Sequence, residues 1–297
     1  MSRRIAVIDL GSNTFHLLIA DKDGESLSTV FKKRAYVSLC EGGGQVIKKE
    51  RMKAGLEVLG YFKEVIEKYG VEKFRVIGTA VLRNAANREE FISKAESVIG
   101  LPIEVIDGVK EAELIYNGVR LFGGYEKDSH VVIDIGGGST EIIVNKNSFL
   151  QLFSFDFGIG QLYELFHKED PITVDTFNKL KSYVFSNLSA SGLEKSQGIT
   201  TMVGSAGSFE ILLSLYRSDF PECSEHIPIP VEWASVKSHH VALMNLAQRE
   251  MLANVPKERM RYLSVGLATV NVLIEYFKPE SIMVSPFALK EGVLAEM

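Results

Sequence analysis

Two aspartates that precede glycine-rich segments are the residues of this sequence best suited to chemistry. Asp9 follows the apolar stretch "IAVI" and precedes "LGSNT", and Asp134 follows "VVI" and precedes "IGGGST". Consecutive glycines lose much conformational entropy on folding, so they indicate unusual dihedral angles or a ligand against bare main chain. Amides and hydroxyls donate to phosphate oxygens, and a carboxylate binds hydrated Mg²⁺. We therefore predict a phosphate site, with an ordinary glycine-rich turn as the alternative.

The two segments form an internal repeat. The aspartates lie 134 − 9 = 125 residues apart, and each is followed by glycine, by hydroxyl or amide residues and by another apolar stretch. This pattern predicts a strand, a turn and a strand in both copies. Walker and Rossmann loops instead open a helix, so neither motif applies. The predicted phosphate-binding residues of the two turns are Gly11, Ser12, Asn13, Thr14, Gly136, Gly137, Gly138 and Ser139.

The remaining sequence alternates strand and helix patterns, which predicts two α/β halves. Helical spacing of apolar residues covers 48–70, and helices are also predicted at 233–252 and 257–277. Between residues 73 and 100 we predict a strand, a Gly78 turn carrying Arg83, and a helix capped by Asn87 with Glu90. The polar stretch "GGYEKD" predicts a linker, with one domain over 1–124 and another over 125–297.

Composition excludes several classes of protein. The 297 residues are 46% hydrophobic and 24% charged, as is ordinary for a globular chain. A net charge of −5 leaves no global basic excess, so we expect no nucleic-acid partner. Cys40 and Cys223 are too few for a disulfide framework, which favours a reducing, cytoplasmic location. Asp9 interrupts the apolar start of the chain, and no apolar run can span a bilayer, so we expect no membrane partner.

Six ordered segments resemble the exopolyphosphatase and guanosine pentaphosphate phosphatase family. They are "IDLGSNTFHLLIAD", "VIGTAVLRNA", "IEVIDGVKEAELIYNGV", "VVIDIGGGSTEIIV", "VGSAGS" and "ALKEGVLAEM". The resemblance spans essentially the whole chain and implies a two-domain α/β fold of the actin-like ATPase type (ribonuclease H-like, shared with sugar kinases, Hsp70 and actin). It favours the short two-domain form of the family. It leaves open that residues from about 285 to 297 pack back on the first domain.

The resemblance also implies a Mg²⁺-dependent hydrolase that releases terminal phosphate from polyphosphate or guanosine pentaphosphate. Glu111 matches the family's general base, and Arg83 is expected to clamp the transferring phosphoryl group. Asp134, with Glu141 or Asp9 assisting, is expected to hold the metal. The alternatives are a non-catalytic protein that binds guanosine tetra- or pentaphosphate, and an actin-like ATPase or sugar kinase. A homodimer is left open.

Several positions depart from the family pattern. Relatives often have arginine at the positions of Ser38, Gln161 and Glu113. Lys110 occupies the first place of a frequent Glu-Glu pair, and the usual Asp-Gly before "ALKEG" is replaced by Pro286 and Phe287. Fewer cations weaken binding most for long polyanions, which make many contacts. We therefore expect the best efficiency on short polyphosphate or on a nucleotide with few phosphates.

Overall fold

Two mixed sheets of five strands each form the framework of the computed structural model, which describes residues 2–123, 125, 129–193, 198–222 and 228–297. The first sheet contains β1 (Arg3–Leu10), β2 (Thr14–Asp23), β3 (Ser26–Tyr36), β4 (Lys73–Gly78) and β5 (Glu104–Val105). The second contains β6 (His130–Ile135), β7 (Thr140–Lys146), β8 (Phe149–Phe155), β9 (Thr201–Ser205) and β10 (Ser281–Val284).

The two sheets share one topology. The first has the order β3-β2-β1-β4-β5 and the second the order β10-β9-β6-β7-β8. In each, three strands form an antiparallel meander and two further strands add in parallel beside the first strand of that meander. This repeated order is that of the ribonuclease H-like unit from which actin-like ATPases are built. The predicted repeat and the predicted fold class are therefore confirmed.

Helices follow the strands in both halves. They are α1 (Lys49–Lys68), α2 (Ala80–Asn84), α3 (Arg88–Ile99), α4 (Gly108–Arg120), α5 (Ile159–Phe166), α6 (Val174–Ala190), α7 (Ala206–Asp219), α8 (Val231–Ala242), α9 (Leu246–Glu250), α10 (Leu263–Phe277) and α11 (Leu289–Glu296), with a 3₁₀ helix over Lys257–Tyr262. Among the described residues, none of these helices is long and apolar enough to cross a bilayer.

Two details of the helix predictions are wrong. The helix expected over 233–252 breaks after α8, because Asn245 starts α9 with a capping box that it shares with Gln248. Asn87 precedes α3 as predicted, but its side chain makes no cap. It accepts from the Ile47 amide at 2.8 Å and donates to the Ile47 carbonyl oxygen at 2.9 Å instead. A tertiary partner has therefore replaced the local one.

Three hydrophobic cores arrange the chain in layers. One lies between the first sheet and α1 and α3, and another between the second sheet and helices that include α6, α7 and α10. The third joins the facing sides of both sheets through α4 and α11. Val7 and Ala6 illustrate why β1 is apolar throughout, since they enter different cores on opposite faces of one strand. The two sheets are thus connected by a shared helical layer.

Helix α11 crosses α4 at two glycines. A Cβ atom at Gly118 would overlap the carbonyl oxygen of Ala288, and one at Gly292 would overlap that of Leu114. The helix also contacts β1, and the Lys22 ammonium of β2 donates to the carbonyl oxygen of Leu294 at 3.2 Å. The C-terminal helix therefore packs on elements of the first half. The domain division at 124/125 stays a prediction, since residues 124 and 126–128 lie outside the described part.

Candidate active site between the two hairpins

The turns of the two predicted hairpins contact each other. Residues 11–14 join β1 to β2 and residues 136–139 join β6 to β7, each closed by a bond from the first amide to the fourth carbonyl oxygen. A Cβ at Gly137 would lie 2.8 Å from Asn13 Nδ2, and one at Gly138 would lie 2.5 Å from Ser12 Oγ. Neither glycine has a positive φ. These positions are glycine because the opposite turn lies too close for a side chain, and not because their backbone is left-handed.

A cavity of about 200 Å³ opens beside the paired turns. All eight predicted phosphate-binding residues line it, together with Asp9, Asp134 and Glu111. Two other predicted site residues, Arg83 and Glu141, do not. The hydroxyl oxygen of Ser12 is buried without a hydrogen-bond partner among the described residues. A buried hydroxyl in that state has donor and acceptor capacity left for a ligand.

Glu111 lies in the wall of this cavity, in the first turn of α4. Asp107 caps the helix by accepting from the Lys110 amide at 2.8 Å, and the Glu111 residue is only 6% exposed. Arg83 of α2 donates to Glu111 Oε2 at 2.5 Å and to the Ile106 carbonyl oxygen at 3.1 Å. Arg83 therefore sits behind Glu111 and fixes its carboxylate.

Burial raises the pKa of Glu111 to about 7, against the opposing effect of the Arg83 guanidinium. The negative charges of Asp9 and Asp134 raise this pKa further. A carboxylate with a pKa near neutral pH is a stronger base than an ordinary carboxylate, and much of it is still ionised and able to accept a proton at that pH. This is the property that a general base for water requires.

Asp134 and Glu141 face each other across the β6–β7 hairpin as direct cross-strand partners. Burial raises the pKa of Asp134 to about 6, although Ser205 Oγ donates to its Oδ2 at 2.7 Å. Burial, and then the charges of Glu111 and Asp134, raise the pKa of Glu141 well above its usual value. Glu141 accepts from Ser154 Oγ at 2.8 Å. Burial thus disfavours the charged forms of both carboxyl groups, and a cation bound beside them would favour those forms.

Asp9 occupies the equivalent place in the first hairpin, with His16 as its cross-strand partner. Arg34 Nε donates to His16 Nε2 at 3.0 Å, so that nitrogen is the acceptor. The ring proton consequently sits on Nδ1, which lies 3.2 Å from Asp9 Oδ2. Burial lowers the pKa of His16 despite the bond to Asp9, which keeps the ring neutral. The imidazole thus holds the Asp9 carboxylate in a fixed orientation.

The carboxylates suit a hydrated magnesium ion better than a protein cage. No group of three or more His, Cys, Asp or Glu in the described part of the chain is arranged to hold a metal. Mg²⁺ commonly takes one or two carboxylates and fills its other positions with water and substrate phosphates. Asp9 and Asp134 line the cavity from the two hairpins, and both are buried. This donor set fits Mg²⁺ bound together with a phosphate compound.

An ion-pair chain that the sequence did not indicate bridges the cavity. Arg34 of β3 donates to both carboxylate oxygens of Glu210 in α7, at 2.8 and 3.0 Å. Arg259 donates to the same carboxylate at 2.9 Å and to the Tyr36 hydroxyl at 3.2 Å. Burial alone would raise the pKa of Glu210, but the two guanidinium groups lower it to about 2. A single carboxylate therefore pairs with both arginines and balances one of their two positive charges.

Of the departures from the family pattern, Pro286 lines the cavity, and four others fall in two places. Ser38 lines the cavity with a φ of 55°, and Gln161 lies beside Gly137 and Gly138. Lys110 and Glu113 are instead at the surface, where they pair at 3.2 Å. Only the first two positions stand where a lost arginine removes a cation from the neighbourhood of the turns.

Comparisons with known proteins agree with this fold and site. Residues 18–297 match the Ppx/GppA phosphatase family. A putative exopolyphosphatase of Haemophilus influenzae is 29% identical over 98% of this chain and 90% of that protein. A guanosine-5'-triphosphate,3'-diphosphate pyrophosphatase of Aeromonas hydrophila is 31% identical over 97% of this chain and 58% of that protein. The chain thus spans about three fifths of such pyrophosphatases.

The solved structure of an exopolyphosphatase from Cytophaga hutchinsonii superposes with a TM-score of 0.91 at 27% identity, covering 98% of this chain and 96% of that one. The Aquifex aeolicus PPX-GPPA enzyme gives a TM-score of 0.81 at 25% identity over the whole of both chains. Sequence match and backbone agreement lead to the same assignment. The chain belongs to the Ppx/GppA phosphatase family.

Proposed function

We propose that this chain is a hydrolase that releases terminal phosphate from short polyphosphate or guanosine pentaphosphate with the help of Mg²⁺. The observation that carries the proposal is Glu111, a buried carboxyl group with a pKa near 7 in the wall of the cavity where the two glycine turns meet. The printed names of the curated relatives supply the two substrate classes. A cytoplasmic location, the absence of a nucleic-acid partner and a homodimer remain predictions.

The two turns would bind the phosphate chain. Their main-chain amides and the unpartnered hydroxyl of Ser12 can donate to phosphate oxygens at the cavity. Positioned donors of this kind stabilise charge that develops on the phosphoryl oxygens in the transition state. The turns therefore both select a phosphate compound and hold its terminal group still.

Glu111 would accept a proton from the attacking water. As the water oxygen bonds to the terminal phosphorus, the anhydride bond to the leaving phosphate breaks and the water proton passes to the Glu111 carboxylate. Arg83 was expected to clamp the phosphoryl group, but it bonds Glu111 and lies outside the cavity lining. We therefore propose that Arg83 acts through Glu111, by orienting the carboxylate and keeping it ionisable.

Asp134 and Asp9 would hold Mg²⁺, directly or through water. The ion, when bound, supplies positive charge that neutralises the phosphate oxygens. Glu141 would contribute from behind Asp134, because it bonds Ser154 and does not line the cavity. Oxygen donors suit Mg²⁺, Ca²⁺ and Mn²⁺ alike, and we propose Mg²⁺ because it is commonly bound by one or two carboxylates together with substrate phosphates.

The test is phosphate release with Mg²⁺ from tripolyphosphate, longer polyphosphates, guanosine pentaphosphate and ATP. Glu111→Gln should lower turnover about 10²-fold or more while it leaves substrate binding in place. Glu113→Gln is the matched control, since Glu113 lies on the same helix but is exposed. Normal turnover in Glu111→Gln would overturn the assignment. Binding of guanosine pentaphosphate without release would indicate the non-catalytic alternative, and turnover of ATP alone the ATPase alternative.

Chain length provides a second test. Because Ser38 and Gln161 supply no charge and Arg34 and Arg259 are bound to Glu210, catalytic efficiency should gain little beyond short polyphosphates. The rate should also fall only modestly between low and moderate salt. A steep rise with length that collapses in salt would show a basic groove outside this cavity.

A further inference from the structure

A buried lysine at the start of α11 faces the cavity. Lys290 is 8% exposed and lines the cavity together with residues of both hairpin turns. Its positive charge acts on Asp134, lowering the pKa of that carboxyl group, and on His16. The ammonium group therefore lies near Asp134 of the second hairpin and near His16, the cross-strand partner of Asp9 in the first.

The Lys290 ammonium lacks a good protein partner. Within the described residues no acceptor lies within hydrogen-bond distance of it, and the one carboxylate within ion-pair range is Glu291, with Oε2 at 3.8 Å. That oxygen already accepts from the Ala288 amide at 2.8 Å. An ammonium group has three donors, and no acceptor in the described part of the chain takes a hydrogen bond from that of Lys290. The group therefore has donor capacity left for an anionic ligand in the cavity that it lines.

The other cations that line the cavity differ from Lys290. Arg34 and Arg259 are both hydrogen-bonded to the Glu210 carboxylate, which balances one of their two charges. Among the described cavity-lining residues, Lys290 is thus the cation without a hydrogen-bonded counter-ion. A phosphate oxygen that entered the cavity would find in Lys290 a charge that is not already used.

The packing of α11 fixes where this charge lies. Gly118 and Gly292 let α11 and α4 approach until backbone meets backbone, so the two helices form one rigid pair. Lys290 is in the first turn of α11, and Glu111 is in the first turn of α4. The same helix pair therefore carries the proposed base and the unpaired cation to one cavity.

We propose that Lys290 is a phosphate-binding residue that grips the oxygens of the terminal phosphoryl group while Glu111 activates water. The ligand class is a compound with a terminal phosphoanhydride, and the inference rests on the proposed function for the site. A charge-assisted hydrogen bond from the ammonium to a phosphate oxygen would use donors that the described residues leave free.

The experiment measures tripolyphosphate binding by calorimetry with Mg²⁺, and phosphate release in parallel, for wild type, Lys290→Met, Lys290→Arg and Lys179→Met. Lys179 is the matched control, since it lies exposed on α6 and pairs only with Asp175. Lys290→Met should weaken binding about 10- to 100-fold. Lys290→Arg should recover most of that loss, and Lys179→Met should bind as wild type.

The two readouts separate this inference from the proposed function. If wild type binds tripolyphosphate but releases no phosphate, the hydrolase proposal fails while the binding series still judges Lys290. Binding by Lys290→Met equal to wild type overturns the inference, and so does a wild type that binds no tripolyphosphate. If Lys290→Met unfolds, the inference is supported by weakened binding of tripolyphosphate to folded Lys290→Ala, or by full binding to Lys290→Arg. It is overturned if Lys290→Arg loses as much affinity as a folded neutral variant does.

Discussion

Replacing Glu111 by glutamine should stabilise the fold at alkaline pH even though it removes the proposed base. The ordinary pKa of this carboxyl group is 4.5, and burial raises it to about 7 in the folded chain. Between those two values the folded state binds more protons than the unfolded state, so stability falls as the pH rises through that window. Above pH 7 the whole unfavourable contribution is present. Glutamine carries no such charge at any pH.

The magnitude follows from the difference in pKa. A rise from 4.5 to about 7 corresponds to roughly 3 kcal/mol, at about 1.4 kcal/mol for each pH unit. The stability difference between Glu111→Gln and wild type should therefore grow by about that amount from pH 4.5 to 8.5. The bond from Arg83 does not vanish, because the glutamine oxygen can accept it, and any constant effect of that change cancels in the comparison.

The assay is the thermal midpoint of wild type, Glu111→Gln and the exposed control Glu113→Gln across that pH range. A few kcal/mol corresponds to several degrees for a chain of this size. The curve of Glu111→Gln should rise relative to wild type as the pH increases, whereas Glu113→Gln should run parallel to it. Parallel curves for Glu111→Gln and wild type would refute a buried carboxyl group with a raised pKa.

Three further predictions concern the reaction itself. Phosphate release should rise from pH 6 to 8 with a midpoint near 7, as Glu111 loses its proton. Because Arg83 lowers the pKa of Glu111, Arg83→Met should move that midpoint to higher pH, and a midpoint that stays fixed contradicts this. Gly137→Val should force the two turns apart and reduce both tripolyphosphate affinity and the thermal midpoint, whereas Gly60→Ala, at an open position of α1, should leave affinity unchanged; a folded Gly137→Val of full affinity speaks against the turns. Asp134→Asn should raise the Mg²⁺ concentration for half-maximal rate, and an unchanged Mg²⁺ dependence would place the ion elsewhere.

The parts of the fold that sequence predicted are local. Apolar alternation and glycine turns lie within twenty residues of one another, so the two hairpins and their repeat could be recognised without tertiary information. The same locality extends to the cross-strand pairs. Once a four-residue turn joins two strands, Asp9 must face His16 and Asp134 must face Glu141. These cross-strand pairs could therefore be deduced from the sequence, although only the two aspartates stand out by their own position before a glycine turn.

The parts that sequence could not predict depend on distant contacts. Arg83 meets Glu111 because α2 and α4 converge, and no spacing rule relates these two positions. Glu210 joins two arginines that lie 176 and 49 residues away along the chain. Asn87 is the converse case. Its position predicts a local helix cap, but its side chain hydrogen-bonds to the main chain of Ile47 instead. Tertiary partners decide such cases.

The glycine crossing of α11 on α4 bears on how the chain folds during synthesis. All strands of the first sheet precede residue 106, but the apolar face of α4 is covered by a helix that begins at Leu289. The ribosome must add 289 − 120 = 169 residues after α4 ends, which takes roughly 8 to 34 s at about 5–20 residues per second. Throughout that time the part of α4 that α11 covers and the Lys22 ammonium lack these partners, although β6, β7 and β8 can pack on α4 earlier. The nascent chain therefore leaves the glycine-containing side of α4 uncovered until α11 has been synthesised.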